Sequence, residues 1–164
     1  MLKRSLILVS ALTLLCSSLL FNVSAQDAPP PTPEEVAAAA ADTRQALFKL
    51  LRHNLGPIAG MARGAPFDAA IAERNARRIA AIAPMIPELL TPDTRGFDLE
   101  TEALDKIWEG NLEDIGVKAQ ALVDAANTFA GIAAAGDMAA TLGAFRSLGG
   151  ACANCHDVYR VDND

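Results

Sequence analysis

Beyond residue 34 the apolar residues of this chain recur at spacings of three and four, and no alternating β-branched run appears anywhere. That period belongs to helices with one buried face. Leu47, Leu50, Leu51 and Leu55 set a first stripe, and Ile71, Ile79 and Ile82 a second. Leu104, Trp108, Leu112, Ile115, Leu122 and Phe129 set a third, and Leu142, Phe145, Gly149, Cys152 and Tyr159 a fourth. Glycine, proline and small polar residues punctuate them. Thr32-Pro33-Glu34-Glu35 reads as a helix start, with Thr as cap, Pro at the first position and Glu at the third. Gly56-Pro57 disturbs or ends that helix near Asn54, and Asp68, after the turn Gly64-Ala65-Pro66-Phe67, caps a second helix through about Ala83. Pro84, Pro87, Pro92 and Gly96 make a long connection over 84–100. A third helix follows from about Thr101 to Ala135, interrupted near Gly110, and Gly136-Asp137 starts a fourth that runs to about Tyr159. Four amphipathic helices with short connections and one longer crossover predict an all-α, antiparallel four-helix bundle.

The N-terminus reads differently. Lys3 and Arg4 precede an apolar run from Leu6 to about Phe21, and Val23-Ser24-Ala25 has the small-residue pattern of a cleavage site. This is the layout of a secretory signal peptide, expected over residues 1–25. A stable membrane anchor is not expected, because Ser10, Thr13, Ser17 and Ser18 interrupt a run shorter than the roughly 18 apolar residues a span requires. Cys16 follows Leu15 rather than a small residue, which argues against lipid modification and assigns Cys16 to the leader. Residues 26–33 are a stiff Pro-rich linker, and 34–164 form the bundle domain. Losing Lys3 and Arg4 takes the net charge from −6 to −8. Such a surface does not suit nucleic acid, whose binding depends on Lys and Arg neutralising phosphates.

Only Cys152 and Cys155 then remain, too few for a disulfide framework in an exported chain. They stand in Cys152-Ala153-Asn154-Cys155-His156. Two thiols three positions apart on a helix lie on nearly the same face and can add to the two vinyl groups of one macrocycle, while the adjacent His reaches its iron. A thioredoxin-like pair would sit in a βαβ unit, which is missing here. Structural zinc wants about four ligands, and His53 is the one further soft donor. A plain disulfide does not need the His. The motif therefore predicts one covalent haem c, held through Cys152 and Cys155, with His156 as the proximal iron ligand.

In many small cytochromes this motif stands near the N-terminus; here it falls within the last 13 residues, on the last helix of a bundle. With Arg44-Gln45-Ala46-Leu47-Phe48-Lys49 on the first helix, Gly64 to Ala70 at the second, Trp108 opening the third and Cys152 to Arg160 on the fourth, the chain resembles the class II c-type cytochromes, and among them the cytochromes c′, from about Glu34 to Val161. The resemblance implies that the residue four after Arg44 faces the sixth position of the iron. A Met there marks low-spin electron carriers; an apolar, non-ligating residue marks five-coordinate, high-spin iron. Phe48 stands there, with Leu47 as the alternative, and neither can ligate. His53 lies about 140° around the helix from Phe48, so both cannot point at the same iron, and Met61, Met85 and Met138 read as core filler.

The supporting assignments follow. Arg44 is a candidate partner of a haem propionate. Arg160, four after His156, matches a basic residue beside the proximal face in the family, and Gly149-Gly150 would let the haem edge or another helix approach closely. Function then divides between a periplasmic protein binding NO or CO at five-coordinate iron and an electron carrier docking redox partners. Phe48 favours the first. No distal acid–base histidine supports an enzyme, and a homodimer through the first two helices is expected by analogy.

Overall fold

The computed structural model describes residues 29–161, so the leader expected over 1–25 lies outside the described residues. Five α-helices are described: α1 (Pro33–Ala62), α2 (Ala69–Ile82), the short α3 (Met85–Leu90), α4 (Leu112–Ala134) and α5 (Met138–Tyr159). A single 3-10 turn, Asp105–Trp108, precedes α4. The four long helices form the expected antiparallel bundle, α2 against α1 and α4, and α4 against α5. Among the described residues the only extended pairing is an isolated antiparallel bridge of Ala103 with Arg160. No described helix is long and apolar enough to cross a membrane.

The helix starts are where their chemistry puts them. Thr32 and Glu35 complete a reciprocal capping box, and Asp68 and Asp137 accept the N–H groups of Ile71 and Ala140. Two boundaries differ from the sequence reading. First, α1 does not end at Gly56-Pro57 but runs on to Ala62. An interior Pro costs roughly 3 kcal/mol, while burying Ile58 and Met61 beyond it returns about 1.5–3 kcal/mol each, so tertiary burial wins. Second, the third bundle helix begins at Leu112 rather than near Thr101. Gly110 adopts φ +86°, which separates the 3-10 turn bearing Trp108 from α4. The crossover also holds α3, where Pro87 sits in the first turn and so removes no helical bond.

The core is built of Ile58, Ala72, Ala76, Ile79, Ile115, Leu122, Phe129 and Leu148. Four readings of burial are corrected, the first being Leu104, which is 36% exposed ahead of the 3-10 turn rather than part of the third buried stripe. Leu50 lies 54% exposed on the outside of α1, and Met85 and Met138 are exposed, so of the methionines named as core filler only Met61 is one. On α5 the most deeply buried side chains are Thr141 and Leu148, which the sequence stripe missed. Of that stripe Tyr159 is buried in the core, while Leu142, Phe145, Gly149 and Cys152 form a half-buried face.

Candidate functional site

Two apolar stripes remain half covered by the protein. On α1, Phe48, Leu51 and Leu55 follow one another at three and four residues; Phe48 is 37% exposed, while the adjacent Leu47 is 5% exposed in the core. On α5, Leu142, Phe145, Gly149, Cys152 and His156 recur at the same spacings, all of intermediate burial. Of the neighbouring long helices, α1 and α5 touch each other least. A Cβ built on Gly149 or Gly150 would meet no protein atom within 4 Å. The two glycines therefore do not serve a close helix approach.

The motif occupies the last two turns of α5. Both cysteines are of intermediate burial and do not pair with each other, and Cys152 Sγ lies 3.7 Å from the Leu148 carbonyl oxygen. Burial pushes both thiols above their ordinary pKa; at Cys155 the Lys118 ammonium opposes that shift. Burial, and after it the positive Arg160, lowers the pKa of His156. An imidazole that stays neutral at neutral pH is the form that ligates a metal. Thiols for two vinyl carbons, a neutral imidazole next to them and half-covered apolar stripes on α1 and α5 fit a covalently held porphyrin.

Polar contacts fasten this turn of α5. The Tyr159 hydroxyl donates to Asp114 Oδ2 at 2.7 Å, and with burial this bond raises the Tyr159 pKa to about 12. Lys118 Nζ lies 3.6 Å from the same carboxylate oxygen and donates to Asn154 Oδ1 at 3.1 Å. The crossover closes over the helix end: Leu104 N–H donates to the Tyr159 carbonyl at 3.0 Å and Val161 N–H to the Glu102 carbonyl at 2.8 Å. Arg160 is thus no free helix-end charge, because it pairs with Glu102 at 3.6 Å.

Arg44 makes contacts that the sequence did not suggest. It is 3% exposed and donates to the Pro92 carbonyl at 3.1 Å and to Thr94 Oγ1 at 2.7 Å. Its guanidinium lies 5.3 Å from the centre of the Trp108 ring, and Trp108 donates to the Leu90 carbonyl at 2.8 Å. These partners are all neutral, and desolvation lowers the Arg44 pKa. The contacts make Arg44 first a clamp between α1 and the crossover, which sequence spacing could not reveal. His53 is exposed, on the outer side of α1. Among the described residues no group of three or more His, Cys, Asp or Glu side chains could hold a metal ion by itself. A groove lined by Asp124, Thr128, Ile132, Ala140, Gly143 and Ser147 lies towards the other end of α4 and α5 from the motif.

Comparison with known proteins agrees with this geometry. Residues 39–160 match the family model described as Cytochrome C′. Cytochrome c-554 of Cereibacter sphaeroides is 40% identical over 121 residues, 71% of this chain and 77% of that protein. The solved structure of a cytochrome c′ with ligand-controlled dimer dissociation is 35% identical with a TM-score of 0.67, covering 82% of this chain and all of that one. The structure of a ferrous variant of cytochrome c prime from Alcaligenes xylosoxidans, with bound NO, is 26% identical with a TM-score of 0.65 over the same coverage. The prosthetic group is therefore haem c, for which Cys152 and Cys155 provide the attachment sequence.

Proposed function

The chain belongs to the cytochrome c′ family, and from that premise we propose that it is a periplasmic haem protein that binds NO and CO at a five-coordinate, high-spin iron. When bound, the haem supplies an iron with one axial position open to a diatomic ligand. Cys152 and Cys155 would hold the group in place, and His156, kept neutral by burial, would be the proximal ligand. Arg160, which bears electrostatically on His156, stands beside it.

Phe48 carries this reading. It is the exposed member of the Leu47-Phe48 pair, on the half-covered stripe of α1. Its ring has no lone pair for iron and no donor for bound O₂, so it crowds the distal face without ligating and favours NO and CO over O₂. The electron-carrier alternative of the low-spin kind needs a thioether here, and no Met occupies this stripe. An enzyme would need an acid–base group near the open position, and the histidine closest to Phe48 in the chain, His53, is on the outer side of α1. Arg44 keeps its proposed role towards a propionate in addition to its clamp: three of its five N–H donors remain after Pro92 and Thr94, and its buried charge faces only neutral partners.

The leader and linker fit export ahead of haem attachment, the bundle domain following from residue 34. A second copy is the proposed protein partner. Val36, Ala39, Thr43, Ala46, Leu50 and His53 form an exposed stripe along α1 at alternating spacings of three and four, the pattern by which one helix packs on another. The functional test is titration of the ferrous holoprotein with CO and NO. Saturable spectral changes with both gases and none with O₂ short of oxidation are expected; no change with either gas contradicts the assignment.

A further inference from the structure

We propose that Asp114 is a positioning residue for the haem-bearing turn of α5, anchoring it to α4 on both sides of His156. The inference rests on the reading of His156 as axial ligand. It starts from where Asp114 stands, in the first turn of α4, where a carboxylate is stabilised by the unpaired N–H groups of the helix start. From there Asp114 reaches α5 by two routes. Directly, its Oδ2 accepts from the Tyr159 hydroxyl at 2.7 Å, three residues after His156. Indirectly, it pairs at 3.6 Å with Lys118, one turn further along α4, whose ammonium donates at 3.1 Å to Asn154, two residues before His156.

One turn of α4 therefore grips α5 at positions 154 and 159, and His156 lies between the two grips. The bracket is held tightly where it matters: Tyr159 is buried, and the Lys118 side chain is only 14% exposed although Asp114 itself reaches solvent. A hydrogen bond to a charged group is worth roughly twice a neutral one. With the crossover bonded to Tyr159 and Val161 from the other side, the last turn of α5 has little freedom to rotate or translate. An imidazole carried on that turn meets the iron along one direction. Helix packing alone would allow α5 to slide along its axis, as its Thr141 and Leu148 contacts are apolar or local. The bracket also explains why a tyrosine hydroxyl is sited at a buried position that a phenylalanine would otherwise fill at lower desolvation cost.

The test uses ferrous holoprotein and resonance Raman spectroscopy of the iron–histidine stretch. Asp114→Ala and Tyr159→Phe are expected to shift the band to lower frequency and broaden it. Asp114→Asn, which still accepts from Tyr159, is expected to retain most of the original band. An unaltered band in the Ala and Phe variants, whatever their melting temperature, overturns the proposal. Should the unsubstituted protein show a six-coordinate spectrum with no such band, it is the five-coordinate reading that falls. The bracket is then decided by amide exchange over residues 155–160: acceleration of about tenfold in Asp114→Ala (about 1.4 kcal/mol) and not in Asp114→Asn supports it, and unchanged exchange overturns it.

Discussion

At the scale of single residues, the proposed distal side rests on one ring, that of Phe48. Replacing Phe48 by Met puts a thioether where the phenyl ring stands, and a thioether is an effective iron ligand. The expected outcome is a low-spin, six-coordinate ferrous spectrum and CO binding weakened on the order of tenfold, about 1.4 kcal/mol, because CO must displace the new ligand. Retention of the high-spin spectrum would place Phe48 away from the iron. On the proximal side, Tyr159 makes a pH prediction. Its pKa is raised from 10.0 to about 12 by burial and the bond to Asp114, so the folded protein favours the protonated phenol. The stability this confers is complete below pH 10 and is lost as pH rises towards about 12. Alkaline unfolding should steepen in that window, and Tyr159→Phe should remove the steepening. The attachment motif was legible because it is a short-range pattern, a C-x-x-C-H on one helix turn, and the outward placement of Phe48 beside the buried Leu47 is likewise a local feature of α1. The clamp of Arg44 on Thr94 and the bond of Tyr159 to Asp114 join residues 50 and 45 positions apart. No period in the sequence encodes such pairs.

At the scale of elements, α1 shows most clearly where local rules yield to packing. Gly56-Pro57 is a break by propensity, yet the helix continues because Ile58 and Met61 are needed in the core. Of the fourth stripe, read as buried, Tyr159 reaches the core, whereas Leu142, Phe145, Gly149 and Cys152 stay half-covered and Thr141 and Leu148 point inward in their place. Periodicity identifies an apolar face without saying whether protein or prosthetic group covers it. The exposed stripe of α1 carries its own prediction. Leu50→Glu places a charge in the centre of the proposed self-contact and should convert a dimer to a monomer in sedimentation at micromolar concentration while leaving the haem spectrum unchanged. A dimer unaffected by Leu50→Glu would show that another face mediates pairing.

At the scale of the whole molecule, the bundle separates two tasks. The pairs α1–α2, α2–α4 and α4–α5 provide the packed core, and the sparser contact of α1 with α5 leaves an apolar stripe half covered on each, where the proposed haem site lies. The crossover joins these parts: Pro92 and Thr94 hold Arg44 one turn before Phe48, and residues 102–104 cover the end of the helix that carries His156. The helix turns carrying Arg44 and His156 are thus both braced by the segment whose fold was least legible, since its bonds are tertiary and its 3-10 turn and α3 are too short for a periodic signal. The central claim is that His156 ligates iron from one side while Phe48 covers the other without ligating. The absorption spectrum of the reduced, unliganded protein tests it most directly. A broad, high-spin Soret band with unresolved α and β bands is predicted; sharp, resolved α and β bands of a low-spin, six-coordinate haem would contradict it.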